Sequence, residues 1–182
     1  NATSVVGAGA VAGAAVPFLA SWQPSAKAEA AGAPAIADIS KLLPGEMLIV
    51  EWRGAPIYIV KHSQESLDQI NQNLSRLSDP DSLTDMQPEY ARNELRSRKP
   101  GISVLSAVCT HLGCAPKFYP ELGTTDFDSN WQGGFFCPCH GSKFDLAGRV
   151  YSGVPAPDNL AIPPHYFQDE NILIIGKDGE AV

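Results

Sequence analysis

Cys109-Thr110-His111-Leu112-Gly113-Cys114 and Cys137-Pro138-Cys139-His140-Gly141-Ser142 decide how this chain is read. The two boxes hold all four cysteines and two of the four histidines among 182 residues. Each offers one Cys and one His as ligands and keeps a further Cys in reserve. Thiolates combined with neutral imidazoles select iron-sulfur, zinc or copper over the hard, oxygen-seeking cations. Cys109 and His111 are one residue apart, so in an extended segment or tight loop both side chains point to the same side. Cys137 and His140 meet through a turn that Pro138 and Gly141 favour. A four-ligand site built from two loops follows, with Cys114 and Cys139 left over beside it, well placed to bridge the loops.

Three chemistries compete for these residues. A c-type haem needs CxxCH, whereas Cys137, Cys139 and His140 give CxCH. Structural zinc accepts two Cys and two His, but it explains neither the spare thiols nor the near-symmetry of the boxes. The boxes resemble the two cluster loops of Rieske iron-sulfur proteins, in which two His replace two Cys on one iron of a [2Fe-2S] centre. The resemblance implies one such cluster per chain, with Cys109 and Cys137 on the inner iron and His111 and His140 on the outer one. It further implies a Cys114 to Cys139 disulfide, a Ser142 hydroxyl donating to the cluster, and a covering loop around Gly153, Pro155, Ala156 and Pro157. Many high-potential relatives carry a tyrosine where this chain has Phe144, a departure that predicts a lower reduction potential through one lost hydrogen bond.

Outward from the boxes, residues 1–26 contain no charge, and residues 2–22 are almost wholly apolar or small. About 20 such residues at 1.5 Å each cross a hydrocarbon core of roughly 30 Å. A transmembrane anchor is therefore expected over 1–22, with Gly7, Gly9 and Gly13 suited to close packing in lipid and Trp22 at the interface. It is expected to be incomplete at its N-terminus. Ala26 and Ala28 frame the rival pattern of a cleavable signal. The Ala, Pro and Gly of 23–38 read as a flexible hinge, and 39–182 as the head, with cluster loops at 109–114 and 137–142. The net charge of −7 excludes nucleic acid as a partner.

The expected fold is mainly β: an antiparallel β domain with a helix-loop insertion, behind one N-terminal membrane helix. Apolar runs at 47–52 and 56–61 flank Arg53-Gly54-Ala55 as a hairpin. Leu67, Ile70, Leu74 and Leu77 after Ser63 predict an amphipathic helix, and a second helix is expected over 89–98. Strands at 102–108 and 135–137 deliver the boxes, and 172–175 is a late strand. Arg92, Arg96, Arg98 and Lys99 read as a solvated helix face. His62 and His165 read as ordinary surface or hydrogen-bonded residues, and Trp52 and Trp131 as packing residues.

The resemblance is to bacterial members serving cytochrome bc1 complexes, which are quinol-cytochrome c oxidoreductases. It implies that the head takes an electron and a proton from ubiquinol at cytochrome b, swings, and delivers the electron to cytochrome c1 within a dimeric complex. In that scheme His140, flanked by His111, meets the quinol, and Leu112 helps to dock the tip. The anchor would lie in the lipid of the bacterial inner membrane with the head periplasmic, which suits a disulfide. The alternatives are a Rieske ferredoxin or oxygenase domain, the Rieske subunit of an arsenite-oxidase type enzyme, and the plastoquinol-oxidising relative, which the long 63–100 insertion disfavours.

Overall fold

The computed structural model describes residues 2–25, 28, 32–72 and 74–179. The chain divides into two units, Asn1–Ala33 and Pro34–Val182. In the first, α1 spans Ala2–Ala20 without a charged residue and is long and apolar enough to cross a membrane. At 19 residues it is about 28 Å long. Pro17 sits in its last turn, where it has no N–H to donate to the carbonyl four residues back, and its own carbonyl accepts from Ser21 N–H. The expected hinge falls partly outside the described residues, as do Ala26, Lys27 and Glu29.

The second unit is built from three three-stranded antiparallel sheets. β1 (Ala35–Asp38), β9 (Ile172–Ile175) and β8 (His165–Phe167) form one in that order, and β2 (Met47–Trp52), β3 (Ala55–Lys61) and β4 (Ile102–Ser106) form the next. The third, β5 (Lys117–Gly123), β6 (Trp131–Phe136) and β7 (Lys143–Phe144), carries the second box between its last two strands. Strand alternation explains why β3 is buried on both faces from Ile57 to Val60. Ile57 and Ile59 face a core shared with Ala37, Val104, Leu173 and Ile175, whereas Tyr58 and Val60 face the core that contains Cys109 and Cys137. β3 is thus the wall between two cores. The hairpin, β4 and β9 lie where the sequence places them. β1 lies inside the stretch read as hinge; pairing of Ala35–Asp38 with β9 puts the start of the head at about residue 34.

The insertion departs further from expectation. Ser63 caps α2 (Gln64–Gln69) by accepting from the Ser66 N–H at 3.1 Å. The helix does not run on to Leu77, because the Ile70 carbonyl is taken by the Arg149 guanidinium instead of by the next turn. A 3-10 turn at Leu74–Arg76 follows. The helix expected over 89–98 shrinks to a 3-10 turn at Glu89–Ala91. Asn93 Oδ1 accepts from the N–H groups of Leu95 and Ser97, offering the backbone a local alternative to helix. The basic run is solvated only in part: Arg92 is exposed and pairs with the exposed carboxylates of Asp85 and Glu89. Arg96 is 1% exposed, and its guanidinium donates to Ala147 O, Leu160 O and Gln87 Oε1 at 2.9 to 3.0 Å. Arg98 donates to the His165 carbonyl. His62 and His165 are both buried and hydrogen-bonded, to Ser103 Oγ and Pro163 O. Trp131 is a packing residue, fully buried with its indole N–H on Tyr119 O.

Candidate metal centre

The two boxes fold into the same loop. In the first, Cys109 N–H donates to Cys114 O at 2.8 Å and Gly113 N–H to Cys109 O at 2.9 Å. In the second, Cys137 N–H donates to Ser142 O at 2.8 Å and Gly141 N–H to Cys137 O at 2.9 Å. Gly113 and Gly141 occupy the same step with φ of 85° and 77°, a conformation that needs glycine. The near-symmetry of the sequence is therefore a near-symmetry of backbone. Close approach of β6 to β7 sets the second loop: a Cβ on Gly134 would stand 2.1 Å from Phe144 O.

Cys114 and Cys139 form a disulfide that ties the loops together. Cys109 and Cys137 remain as free thiols, each 2% exposed and adjacent to the other. The sulfurs of Cys114, Cys137 and Cys139 lie within 4.8 Å of one another. The disulfide removes two of them as thiolate donors, so that trio is not itself a metal site. The His111 and His140 rings meet edge to face with centroids 4.7 Å apart. His140 is exposed, His111 half-buried, and Leu112 between the loops projects with 72% exposure. The structure thus gathers Cys109, Cys137, His111 and His140 at one end of the head.

Burial pushes the Cys109 thiol above its ordinary value, while the His111 backbone N–H and the Ser142 hydroxyl beside it act in the opposite direction. Two adjacent thiols in an apolar core, with donors already aimed at one of them, fit a bound cation that makes their deprotonation favourable. Ser142 is fully buried and its Oγ accepts from Ala156 N–H at 3.0 Å, which fixes the 153–157 loop against the second box. Thr110 Oγ1 donates to Asp158 O at 2.7 Å and fixes the same loop to the first. A recess of about 570 Å³ opens beside His140, lined by Phe127, Phe136, Tyr151, Arg76 and Lys143. Asp128 bonds both Arg76 (2.6 Å) and Lys143 (3.0 Å), bracing the exit of the second loop to the insertion. Neither Thr110 nor Asp128 stands out in the sequence, because an isolated hydroxyl and one carboxylate of many carry no spacing signal.

A family model for the Rieske [2Fe-2S] domain matches residues 33–164. The chain is 53% identical over 177 residues to the ubiquinol-cytochrome c reductase iron-sulfur subunit of Allochromatium vinosum, covering 97% of this chain and 86% of that one. It is 42% identical over 175 residues to the protein of the same name from Blastochloris viridis, covering 96% and 88%. A solved structure described as a hyperthermophilic respiratory Complex III superposes with a TM-score of 0.51 at 23% identity over 94% of this chain and 98% of that one, a likeness of fold.

Proposed function

The chain belongs to the Rieske [2Fe-2S] family, among the ubiquinol-cytochrome c reductase iron-sulfur subunits, and on that premise we propose that it moves one electron and one proton from ubiquinol at a cytochrome b subunit and passes the electron to cytochrome c1. Its cofactor is one Rieske-type [2Fe-2S] cluster, and it is a component of an oxidoreductase complex. When bound, that cluster supplies a one-electron carrier whose potential is raised because neutral imidazoles replace two anionic thiolates.

The chain's own residues supply the rest. Cys109 and Cys137, buried in the apolar core, would hold one iron of the cluster, and His111 and His140, nearer the surface, would hold the other. The exposed ring of His140 presents its remaining nitrogen to solvent and to the quinol hydroxyl, where it accepts a hydrogen bond and then the proton. A cluster bound there would couple the charge on its iron to the proton affinity of an imidazole ligand, which suits a donor that gives up an electron and a proton. Ser142 and the 153–157 loop exclude water from the buried side. Leu112 provides an apolar contact for docking of the tip against cytochrome b. The helix α1 serves as the anchor in the bacterial inner membrane and the stretch between α1 and β1 as the hinge of a swinging head. Tethering raises the effective concentration of the head at both stations. A disulfide-bearing head suits the periplasm, and the complex is a dimer in this reading.

The observation that carries the proposal is the pair of imidazoles in edge contact beside two buried free thiols. The identities to proteins named as ubiquinol-cytochrome c reductase subunits set aside the ferredoxin and arsenite-oxidase readings. EPR of the dithionite-reduced protein is expected to show the low average g value of a cluster with two histidine ligands. A four-cysteine spectrum, or no paramagnetic signal with zinc present, rejects it.

A further inference from the structure

Tyr58 stands in the middle of β3, opposite Ile49 on one side and Leu105 on the other. It turns away from the Ile57 and Ile59 core into the one that holds Cys109, Cys137 and Phe144, where it is 5% exposed. Its hydroxyl donates to the Pro116 carbonyl at 2.6 Å, a contact between residues 58 positions apart. Pro116 is the second residue beyond Cys114, at the exit of the first loop. Its ring stacks on Phe135, with centroids 5.6 Å apart and planes within 4° of parallel. Phe135 is the second residue before Cys137, at the entry of the second loop. One side chain therefore grips both ligand loops at the ends that join them to their sheet.

The same ring lies in the core that holds the thiols and also borders an open groove. A groove of about 810 Å³, lined by Met47, Pro116, Phe118 and Tyr58 itself, runs along its outer side. Burial first, and then the nearness of Cys137, push the Tyr58 phenol above its ordinary pKa, which agrees with its place against the sulfur-bearing core. Phe144, in the same cluster, has no hydroxyl to offer. Without the phenol the buried Pro116 carbonyl would have no partner, and the exit of the first loop would be free to shift.

We propose that Tyr58 is a positioning residue for the iron-sulfur centre, its hydroxyl and ring holding the two ligand loops in register and closing the groove against the thiol pair. The inference rests on the cluster-binding role given above. Tyr90 provides the control: its hydroxyl also makes a long-range bond, accepting from His165 N–H at 2.8 Å, but to neither loop. The test compares Tyr58→Phe and Tyr90→Phe in the full chain. Wild-type EPR comes first, since an absent two-histidine spectrum there speaks against the function and not against Tyr58. Tyr58→Phe is expected to keep its cluster with shifted g values, and to let dithiothreitol open the Cys114–Cys139 disulfide about fivefold faster, the equivalent of one buried hydrogen bond. Tyr90→Phe is expected to lower the melting temperature with spectrum and reduction rate unchanged. A wild-type spectrum and rate in Tyr58→Phe, or equal changes in both variants, overturns the proposal.

Discussion

At the scale of single residues, an exposed candidate ligand and a buried neighbour make opposite predictions. His140 is exposed and contributes nothing to either core. His140→Ala is therefore expected to abolish cluster binding and quinol oxidation while the melting temperature of the metal-free protein stays within about 2 °C of the metal-free wild type. Iron analysis, EPR and calorimetry read this directly, and normal turnover in the variant would overturn the ligand scheme. Phe144 is fully buried in the cluster with Cys109 and Cys137 and is paired with Phe135. A hydroxyl added there enters the core that holds both free thiols, and a donor to a cluster sulfur would stabilise the more negative reduced state. Phe144→Tyr is expected to raise the midpoint by some tens of millivolts, where about 59 mV is tenfold in a one-electron equilibrium. Redox titration giving an equal or lower midpoint contradicts it. The candidate ligand residues stand out in the sequence because Cys and His carry chemistry in their identity and their spacing is set by one tight loop. Tyr58 does not, because a tyrosine in an apolar strand looks the same whether it packs or positions, and its partner is 58 residues away.

At the scale of elements, strands with a local signal were readable and those defined by distant partners were not. The 47–61 hairpin is specified by two apolar runs and a two-residue turn, and β9 by four consecutive aliphatics. β1 is four residues in an Ala-rich stretch, and β5 contains Pro120 and a register shift between Tyr119 and Leu122; each becomes a strand through its partner. The insertion was misread because apolar spacing cannot show that Arg96 and Arg149 turn inward and take up carbonyls that a longer helix would use. Arg96→Met removes a donor from three acceptors in the interior and is expected to cost about 3 kcal/mol or more, seen as a lower urea midpoint. A stability within about 1 kcal/mol of wild type would show that the insertion is held by packing alone. Burial lowers both His62 and His165 from 6.5 to about 4. Because the unfolded chain binds these protons first, stability is fully present above about pH 6.5 and is lost as pH falls toward 4. Each histidine contributes a slope of about 1.4 kcal/mol per pH unit inside that window. His62→Asn is expected to remove its share of the slope, about half of what the two histidines supply, and an unchanged slope between pH 6.5 and 4 would mean that the His62 imidazole is not held neutral.

At the scale of the whole molecule, the question is where the β unit begins and the stretch proposed as its tether ends. Composition puts the boundary at residue 38, because Ala, Pro and Gly continue up to Ala37. Pairing puts it near residue 34: Ala35, Ile36, Ala37 and Asp38 align with Ile175, Ile174, Leu173 and Ile172, and Ala37 and Ile39 belong to the core behind β3. The two boundaries predict different behaviour on truncation. A head beginning at residue 34 keeps that ladder and is expected to melt within about 2 °C of the full-length protein and to retain its cluster, but to lose membrane association, since α1 is gone. A head beginning at residue 39 uncovers the edge of β9 and leaves Leu173 and Ile175, both fully buried in the intact protein, without the strand that covers them. Losing a four-residue ladder and a buried Ala is expected to cost about 3 kcal/mol, or roughly 6–12 °C for a domain of this size. The cluster loops sit in a different sheet, so at low temperature both truncations should give the same EPR spectrum. Equal melting temperatures would return 35–38 to the proposed tether, whereas the expected gap shortens that tether by four residues, about 13 Å of extended chain.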